Sequence, residues 1–380
     1  MSSFDAPLGF ASECSLRELW NCEKLRTMRL RMLAGQPCAE CWRCREHENA
    51  GGPSLRSIIN SKFARHAGLT RHTAADGSLP DFRLYYWDVR FSNVCNFRCR
   101  TCDAYLSSSW YDDESVLLNA APRRPRVLDL TALAPEVKQF LFDSSDVVEE
   151  IYFAGGEPLM MAEHYEILDL LVSRKRSDVR LTYNTNLSRL HFRNRAVTGL
   201  WKLFEHVAVH ASLDGYGARG EILRKGQNWE TTERNIRLIR EEASHVAVSV
   251  CATISALNLL HLPEFHRYMV ERELVGINDL HLNILLFPPE YRSQILPAPL
   301  KAEARRRIER HLRFLADGGA GETLIRQFMQ LLAFTEAEDR SSDVRAFIER
   351  NRKLDAIRNE NCAAVFPELA ELYQTIHNAV

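Results

Sequence analysis

Three cysteines, Cys95, Cys99 and Cys102, fall within the short stretch "CNFRCRTC", directly after the strand-like run "LYYWDVRFS". Thiolates bind soft and borderline metals, so three thiols in one loop can hold three corners of an iron–sulfur cluster. The fourth iron would then be open to a small molecule, and that opening is a reason for chemistry beyond electron storage.

A zinc site is the other interpretation of these cysteines. Structural zinc normally takes four protein ligands, and no further Cys or His follows Cys102 at short spacing. Catalytic zinc can use three protein ligands, usually with His or a carboxylate among them. The residues therefore favour an iron–sulfur cluster, and a zinc site stays an alternative.

Six β-rich runs between residues 84 and 290 alternate with amphipathic stretches such as "AEHYEILDLLVSRK" and "WETTERNIRLIREEA". The runs are "LYYWDVRFS", "EEIYFAGG", "VRLTYNTN", "HVAVHASLDG", "VAVSVCATI" and "LHLNILLFP". This alternation predicts right-handed βαβ units and a parallel sheet. Six units are too few for a closed eight-stranded barrel, so we predict an α/β fold with an open, partial (β/α)6 TIM barrel.

The cysteine loop follows the first strand, at the edge of the sheet where barrels of this kind place their active sites. The second strand is followed by "FAGGEPLM", in which Gly155 and Gly156 let the backbone approach a ligand closely. Glu157 precedes Pro158 in a fixed turn. Taken alone, a Gly–Gly pair is more often an ordinary strand-to-helix turn.

Together these features resemble the radical S-adenosylmethionine (radical SAM) superfamily, whose signature is a CxxxCxxC loop after strand one and a GGEP-like segment after strand two. The resemblance covers about residues 84–290. It implies that Cys95, Cys99 and Cys102 hold a [4Fe–4S] cluster and that S-adenosyl-L-methionine chelates the open iron. Reduction would then cleave the cofactor to methionine and a 5′-deoxyadenosyl radical, which abstracts hydrogen from a substrate.

The resemblance also implies which residues contact the cofactor. The "GGEP" segment would flank the methionine amino group, "NTN" would lie near the ribose, and an arginine after "SLDG" would meet the carboxylate. These cofactor-binding candidates are Gly155, Gly156, Glu157, Pro158, Asn184, Asn186, Ser212 and Arg224. Turn formation and helix capping are the alternative roles of the asparagines and the arginine. Thr101 stands where relatives often place an aromatic residue before the third cysteine.

A radical enzyme also needs a residue that quenches or deprotonates its intermediate. Asp214 and Tyr183 are the catalytic candidates, and Cys251 is a further one, although its apolar strand is typical of a buried thiol. His281 and Asn283 alternate on the last strand, so we expect them to share one face.

A second group of thiols, Cys38, Cys41 and Cys44, indicates a metal site near the N-terminus. The segment is similar to the SPASM/twitch accessory domains of radical SAM enzymes, which implies an auxiliary iron–sulfur cluster. The residues that carry this similarity are Cys41, Cys44, Glu48, Gly51, Ser54 and Arg56. Two ligands of that pattern are absent. Three explanations stay open: a late start of the reading frame, zinc or an empty site, or substitution by Cys14, Cys22, Cys38 or Cys362.

The sequence predicts three regions. Residues 1–75 would form the small Cys-rich twitch-like domain, 80–295 the partial barrel, and 296–380 a C-terminal helical region. The Arg- and Glu-rich stretch 299–357 is typical of solvated helix faces.

Composition narrows the class of protein and its partners. The formal net charge of −1 on 380 residues does not call for nucleic acid or an anionic membrane. No run resembles a membrane span or a secretory signal, and grouped cysteines fit a reducing compartment, so we predict a cytoplasmic protein.

The function predicted from the resemblance is that of a radical SAM oxidoreductase or maturase. We expect a peptide substrate, as in the maturation of ribosomally made peptides, and an electron donor such as flavodoxin or ferredoxin. A dehydrogenase, epimerase or isomerase acting on a small molecule or nucleotide is the alternative. An iron–sulfur or zinc protein that binds a partner without catalysis is the alternative of a different class.

Overall fold

The computed structural model describes residues 7–10, 13–49 and 54–375. The chain divides into two compact units. The smaller unit comprises residues up to 84 together with 130–147, and the larger comprises 85–129 together with 148–380. The regions predicted from the sequence, 1–75, 80–295 and 296–380, stay a prediction.

Helices supply most of the regular structure. In chain order they are α1 (Leu16–Trp20), α2 (Glu23–Leu33), α3 (Trp42–Asn49), α4 (Leu55–Lys62), α5 (Tyr111–Leu118), α6 (Leu130–Leu133), α7 (Pro135–Asp143), α8 (Ala162–Ser173), α9 (Val197–Trp201), α10 (Gly217–Leu223), α11 (Trp229–Glu242), α12 (Leu262–Glu271), α13 (Ala298–Asp317), α14 (Glu322–Glu336), α15 (Val344–Arg358), α16 (Cys362–Val365) and α17 (Ala370–Thr375). Within the described residues, none of them is long and apolar enough to cross a membrane.

The larger unit contains six parallel strands that pair in chain order as one sheet. They are β1 (Tyr86–Val89), β2 (Glu150–Phe153), β3 (Arg180–Thr185), β4 (Val207–Ser212), β5 (Ala247–Ile254) and β6 (Leu280–Ile284). Each of the six predicted β-rich runs contains one strand, and helices such as α8 and α11 connect them. The prediction of an α/β fold with a partial (β/α)6 barrel is confirmed.

The strands are apolar on the face that the helices cover and polar on the other face. In β3, for example, Leu181, Tyr183 and Thr185 are buried, whereas Thr182 and Asn184 on the other face are only half-buried. Because side chains alternate along a strand, this pattern separates a helix-covered core from an inner face. The inner face carries Asp88, Tyr152, Thr182, Asn184, His210, Ser212, Ser249, Cys251, Thr253, His281 and Asn283.

The C-terminal helices only partly match the prediction of solvated faces. Helix α13 does present exposed ion pairs, such as Arg305 with Glu309. Helix α15 likewise exposes Arg345 and Glu349. Both helices also bury one side, which the prediction did not include. The buried residues are Ala304, Ile308, His311 and Leu315 in α13, and Phe347, Ile348, Asn351, Leu354 and Arg358 in α15.

Candidate active site at the cysteine loop

The cysteine loop after β1 is held in place by the side chains that follow it. Ser107 Oγ donates to the Phe97 carbonyl at 2.6 Å, and Ser109 Oγ donates to the Cys95 carbonyl at 2.6 Å. Trp110 Nε1 donates to the Cys99 carbonyl at 2.8 Å. The backbone of the loop is therefore held by hydrogen bonds from the residues that follow it.

A two-residue ladder joins the loop to a distant part of the sheet. Arg98 and Cys99 pair antiparallel with Lys225 and Arg224. The next residue, Gly226, has a φ of +108°, and a Cβ there would lie 2.7 Å from the carbonyl oxygen of Asn96. Only glycine fits this close approach without strain, and the ladder places Arg224 Nη1 at 3.8 Å from Cys99 Sγ.

The Gly155–Gly156 turn also packs against the cysteine loop. The Gly156 amide donates to the Ser92 carbonyl at 3.0 Å, and the Glu157 amide donates to the Val94 carbonyl at 2.8 Å. A Cβ on Gly156 would lie 2.2 Å from the Val94 carbonyl oxygen. The glycine pair was expected to let the backbone approach a ligand closely. In the structure the backbone at Gly156 approaches the residues that lead into the cysteine loop.

The Glu157 carboxylate ties this turn to the end of β3. It accepts hydrogen bonds from Thr185 Oγ1 at 2.6 Å, from the Asn186 amide at 2.7 Å and from the Leu159 amide at 3.2 Å. Burial raises the pKa of Glu157 to about 7, although these three donors act in the opposite direction. Its neighbour Pro158 is buried and begins a short 3-10 turn.

The two asparagines of "NTN" lie in different surroundings. Asn186 is buried, and its Nδ2 donates to Asn96 Oδ1 at 3.0 Å and lies 3.9 Å from Cys95 Sγ. Asn184 lies on the inner face, half-buried. The structure thus brings Asn186 against the cysteine loop and leaves Asn184 on the open face of the sheet.

Asp214 is buried in an ion pair with Arg224. Its Oδ1 accepts from Arg224 Nη2 and from the Thr253 amide, both at 2.8 Å. Burial acts to lower the pKa of Arg224, but the Asp214 and Cys99 charges outweigh it and hold that pKa above its ordinary value. Asp214, predicted as catalytic, therefore positions Arg224. Ser212, also predicted in the site, lies on the inner face in register with Cys251.

Tyr183 lies on the helix-covered face of the sheet. It is fully buried, its ring stacks on Phe153 at 5.1 Å, and its hydroxyl lies 3.0 Å from His164 Nε2. Because adjacent strand residues point to opposite faces, the side chain is separated from the inner face that carries Thr182 and Asn184. This placement does not support the catalytic role predicted for Tyr183.

The three loop thiols are half-buried and act on one another electrostatically. Burial raises the pKa of Cys95 to about 12, and the Cys99 charge adds to that effect. Burial likewise raises the pKa of Cys99, and it raises that of Cys102 well above its usual range. Such thiols stay protonated unless a metal provides the compensating charge. Three soft donors in one fixed loop fit an iron–sulfur cluster.

Within the described part of the chain, no three His, Cys, Asp or Glu side chains are grouped so that they could hold a single metal ion.

The inner face of the sheet also carries polar groups. His210 Nδ1 lies 2.7 Å from Ser249 Oγ, and the His210 ring meets the His281 ring edge-on at 5.4 Å between centroids. Burial lowers the pKa of His210 to about 4 and also lowers that of His281, so both imidazoles are neutral near pH 7. Asn283 Nδ2 donates to Thr253 Oγ1 at 3.3 Å.

The N-terminal thiols lie in the smaller unit. Cys38 is buried, whereas Cys41 and Cys44 are half-buried. Burial raises the pKa of Cys41, and the charges of the other two thiols raise it further.

Three other residues of the predicted motif are hydrogen-bonded together. Glu48 accepts from Ser54 Oγ and from Arg56 Nη2, each at 2.5 Å. Gly51 lies outside the described residues, and Cys362 is buried in α16 of the larger unit.

Sequence reasoning missed the contact between the cysteine loop and the C-terminal helix α15. Arg100, next to Cys99, is fully buried, and its side chain donates to Asn351 Oδ1 at 2.9 Å and to Glu360 Oε2 at 2.7 Å. It also pairs with Asp355. The helical spacing of the buried residues of α15 could have predicted that this helix packs against the protein. Nothing in the sequence around Arg100 indicates that it is the partner.

Comparison with known proteins gives a family match. Residues 89–267 match the Radical SAM superfamily. No curated protein matches the chain.

Two solved structures are similar at low identity. One is "Native anSMEcpe with bound AdoMet and Kp18Cys peptide", with 15% identity over 62% of this chain and 62% of that chain, at a TM-score of 0.40. The other is Streptococcus suis SuiB bound to precursor peptide SuiA, with 14% identity over 74% of this chain and 60% of that chain, at a TM-score of 0.39. The match spans less than two thirds of each of those chains.

Proposed function

Because residues 89–267 of this chain form a radical SAM superfamily domain, we propose that the protein reductively cleaves S-adenosyl-L-methionine and uses the product to abstract hydrogen from a substrate. One observation carries the proposal: three half-buried thiols lie in a loop whose backbone contacts the Gly156 turn and pairs with the strand that carries Arg224.

The residues that would hold the implied [4Fe–4S] cluster are Cys95, Cys99 and Cys102. With S-adenosyl-L-methionine bound, such a cluster supplies a 5′-deoxyadenosyl radical. The chain contributes a loop whose backbone carbonyls are already hydrogen-bonded, as for Cys95 and Cys99, so that little ordering is needed on binding.

Arg224, beside the loop, and Asn184, on the inner face, are the residues we propose to orient the methionine and ribose parts of the cofactor. Arg224 is held by Asp214 with one guanidinium nitrogen next to Cys99, where it can meet a carboxylate. Asn184 stands on the inner face at the end of β3, where its amide can meet hydroxyl groups. Glu157, Asp214 and Asn186 act as the positioning residues behind them.

The substrate we propose first is a peptide, and a small molecule or nucleotide is the alternative. The neutral imidazoles of His210 and His281, with Asn283 beside them, offer hydrogen bonds without net charge. This surface suits amide and hydroxyl groups, which both substrate classes provide. A flavodoxin or ferredoxin is the proposed electron donor.

The N-terminal thiols are the proposed site of a second metal centre in a twitch-like domain. Cys38 and Cys44 are near enough to Cys41 for their charges to add to the effect of burial, which raises the pKa of Cys41. An auxiliary iron–sulfur cluster is our proposal for this site.

Iron and acid-labile sulfide per chain, after anaerobic reconstitution, test both assignments. We compare the native protein with two triple variants, C95A/C99A/C102A and C38A/C41A/C44A, and assay each for 5′-deoxyadenosine under dithionite. We expect the first variant to lose one cubane and all nucleoside release, and the second to lose only the auxiliary metal. A native protein that binds no iron would contradict the proposal.

A further inference from the structure

Arg358, the last residue of α15, holds a buried guanidinium that the protein satisfies only in part. Its side chain is 0% exposed, and its Nε donates to Asp113 Oδ2 at 2.8 Å. Nη1 and Nη2 are both buried and have no hydrogen-bond partner among the residues that the structure describes. The guanidinium carbon lies 4.7 Å from the centre of the Trp110 ring.

Arg100, in the same network, shows that the fold can satisfy a buried arginine here. Its Nε donates to the Ile222 carbonyl at 3.2 Å, its Nη1 to Asn351 and its Nη2 to Glu360. A buried donor without a partner costs on the order of 1–3 kcal/mol, and more on a charged group. The two nitrogens Nη1 and Nη2 of Arg358 therefore indicate an acceptor that the described part of the chain does not supply.

The surroundings of Arg358 place that acceptor at the cysteine loop. The guanidinium lies over Trp110, whose Nε1 donates to the Cys99 carbonyl at 2.8 Å. Cys102 packs against the hydrophobic cluster that contains Trp110 and Leu354.

We propose that Arg358 is a positioning residue of the cluster, whose free Nη groups donate hydrogen bonds to a sulfur at Cys99 or Cys102 and whose charge raises the cluster's reduction potential. The inference rests on the proposed function, since it requires a cluster in this loop. Hydrogen bonds to the sulfurs and the local charge are the two means by which a protein tunes such a potential. Reduction adds one negative charge to the cluster, so a nearby cation favours the reduced form.

Asp113 provides a second variant with the opposite expected effect. Its carboxylate pairs with Arg358 through Oδ2 and with Arg98 through Oδ1, the latter at 2.6 Å. Asp113→Asn removes a negative charge and leaves both arginines in place, so the potential should rise. Arg358→Gln removes the positive charge, so the potential should fall.

The test is an EPR-monitored redox titration of the reconstituted full chain, with dithionite as the electron source. For Arg358→Gln we expect the ratio of reduced to oxidised cluster at a fixed potential to fall about tenfold, which is about 59 mV for a one-electron couple. Asp113→Asn should shift the ratio in the opposite direction. Arg358→Lys keeps the charge without the fork of donors and should lie between native and Arg358→Gln.

Arg352→Gln is the matched control on the same helix. Arg352 donates to the Tyr373 carbonyl at 2.8 Å, so its guanidinium already has an acceptor from the chain and the potential should not change.

Three results would overturn the inference. They are an unchanged potential in Arg358→Gln with full iron content, shifts of the same sign in Arg358→Gln and Asp113→Asn, and an equal shift in Arg352→Gln. Should Arg358→Gln fail to bind iron, Arg358→Lys and Asp113→Asn still decide by the sign of their shifts. If the native protein cleaves S-adenosyl-L-methionine but the clusters of the variants have the same reduction potential as the native cluster, this inference is wrong and the proposed function still holds.

Discussion

At the scale of single residues, Gly156 shows what a sequence motif can and cannot predict. A Gly–Gly pair after a strand predicts a close approach, and that approach exists. The partner of Gly156 in this contact, the Val94 carbonyl, is sixty-two residues earlier in the chain (156 − 94 = 62), and the sequence around Gly156 does not indicate it. The nature of the contact could therefore be predicted, but its partner could not.

Substituting Gly156 by Ala should disturb the cysteine loop. The new Cβ would lie 2.2 Å from the Val94 carbonyl oxygen, so the backbone must move. We expect the free energy of unfolding to fall by at least about 1–3 kcal/mol, measured by urea titration. Iron per chain after reconstitution should fall with it.

Gly199→Ala is the control for this substitution. Gly199 lies in α9 with nothing within 4 Å of the added carbon, so stability should stay the same or rise slightly. Retention of native iron and stability by Gly156→Ala would contradict the role assigned to this contact.

Tyr183 and Asp214 should behave differently although both were predicted as catalytic from the sequence. Tyr183→Phe removes one hydrogen bond to His164 on the helix-covered face and should cost about 1 kcal/mol without lowering the 5′-deoxyadenosine yield. Asp214→Asn weakens the ion pair that holds Arg224 beside Cys99, so its yield should fall. A lower 5′-deoxyadenosine yield in Tyr183→Phe, or an unchanged yield in Asp214→Asn, would contradict these placements.

At the scale of elements, the six strands were predictable and the docking of α15 was not. A strand can be predicted from the composition of its own residues, as "VRLTYNTN" predicts β3. The helical spacing of the apolar residues of α15 predicts a buried face but not what covers it, and the contact of that face with Arg100 spans 251 residues between Arg100 and Asn351. Long-range ion pairs between buried groups carry no periodic signal along the chain.

Helices α12 and α13 are joined by a buried histidine pair that predicts acid sensitivity. His266 Nδ1 lies 2.9 Å from His311 Nε2. Burial lowers the pKa of His266 to about 4 and that of His311 to about 3, against about 6.5 in the unfolded chain. Between those values the unfolded state binds more protons than the folded state, so stability is lost as the pH falls below about 6.5.

Replacing His311 by Gln should reduce this dependence. We expect the drop in the free energy of unfolding between pH 7.5 and pH 5.5 to be smaller by about 1.4 kcal/mol, the contribution of one such histidine. Urea titrations at the two pH values measure it, with His191→Gln on an exposed hairpin as the control. An unchanged drop in His311→Gln would mean that the pair does not titrate as described.

At the scale of the whole molecule, the parallel sheet puts the cysteine loop, the Gly156 turn and Asn186 at one edge. All three follow the carboxyl ends of strands, and parallel strands end on the same side. This convergence could be predicted from strand order alone. The opposite placement of Tyr183 and Asn184 required the register, because a shift of one residue exchanges the two faces.

The most direct test of the central claim is the amount of 5′-deoxyadenosine that the reconstituted protein forms from S-adenosyl-L-methionine under dithionite. Our account predicts nucleoside from the native chain and none above background when Cys95, Cys99 and Cys102 are replaced by Ala. Iron-loaded native protein that forms no nucleoside, or a triple variant that forms it at the native rate, would contradict the account.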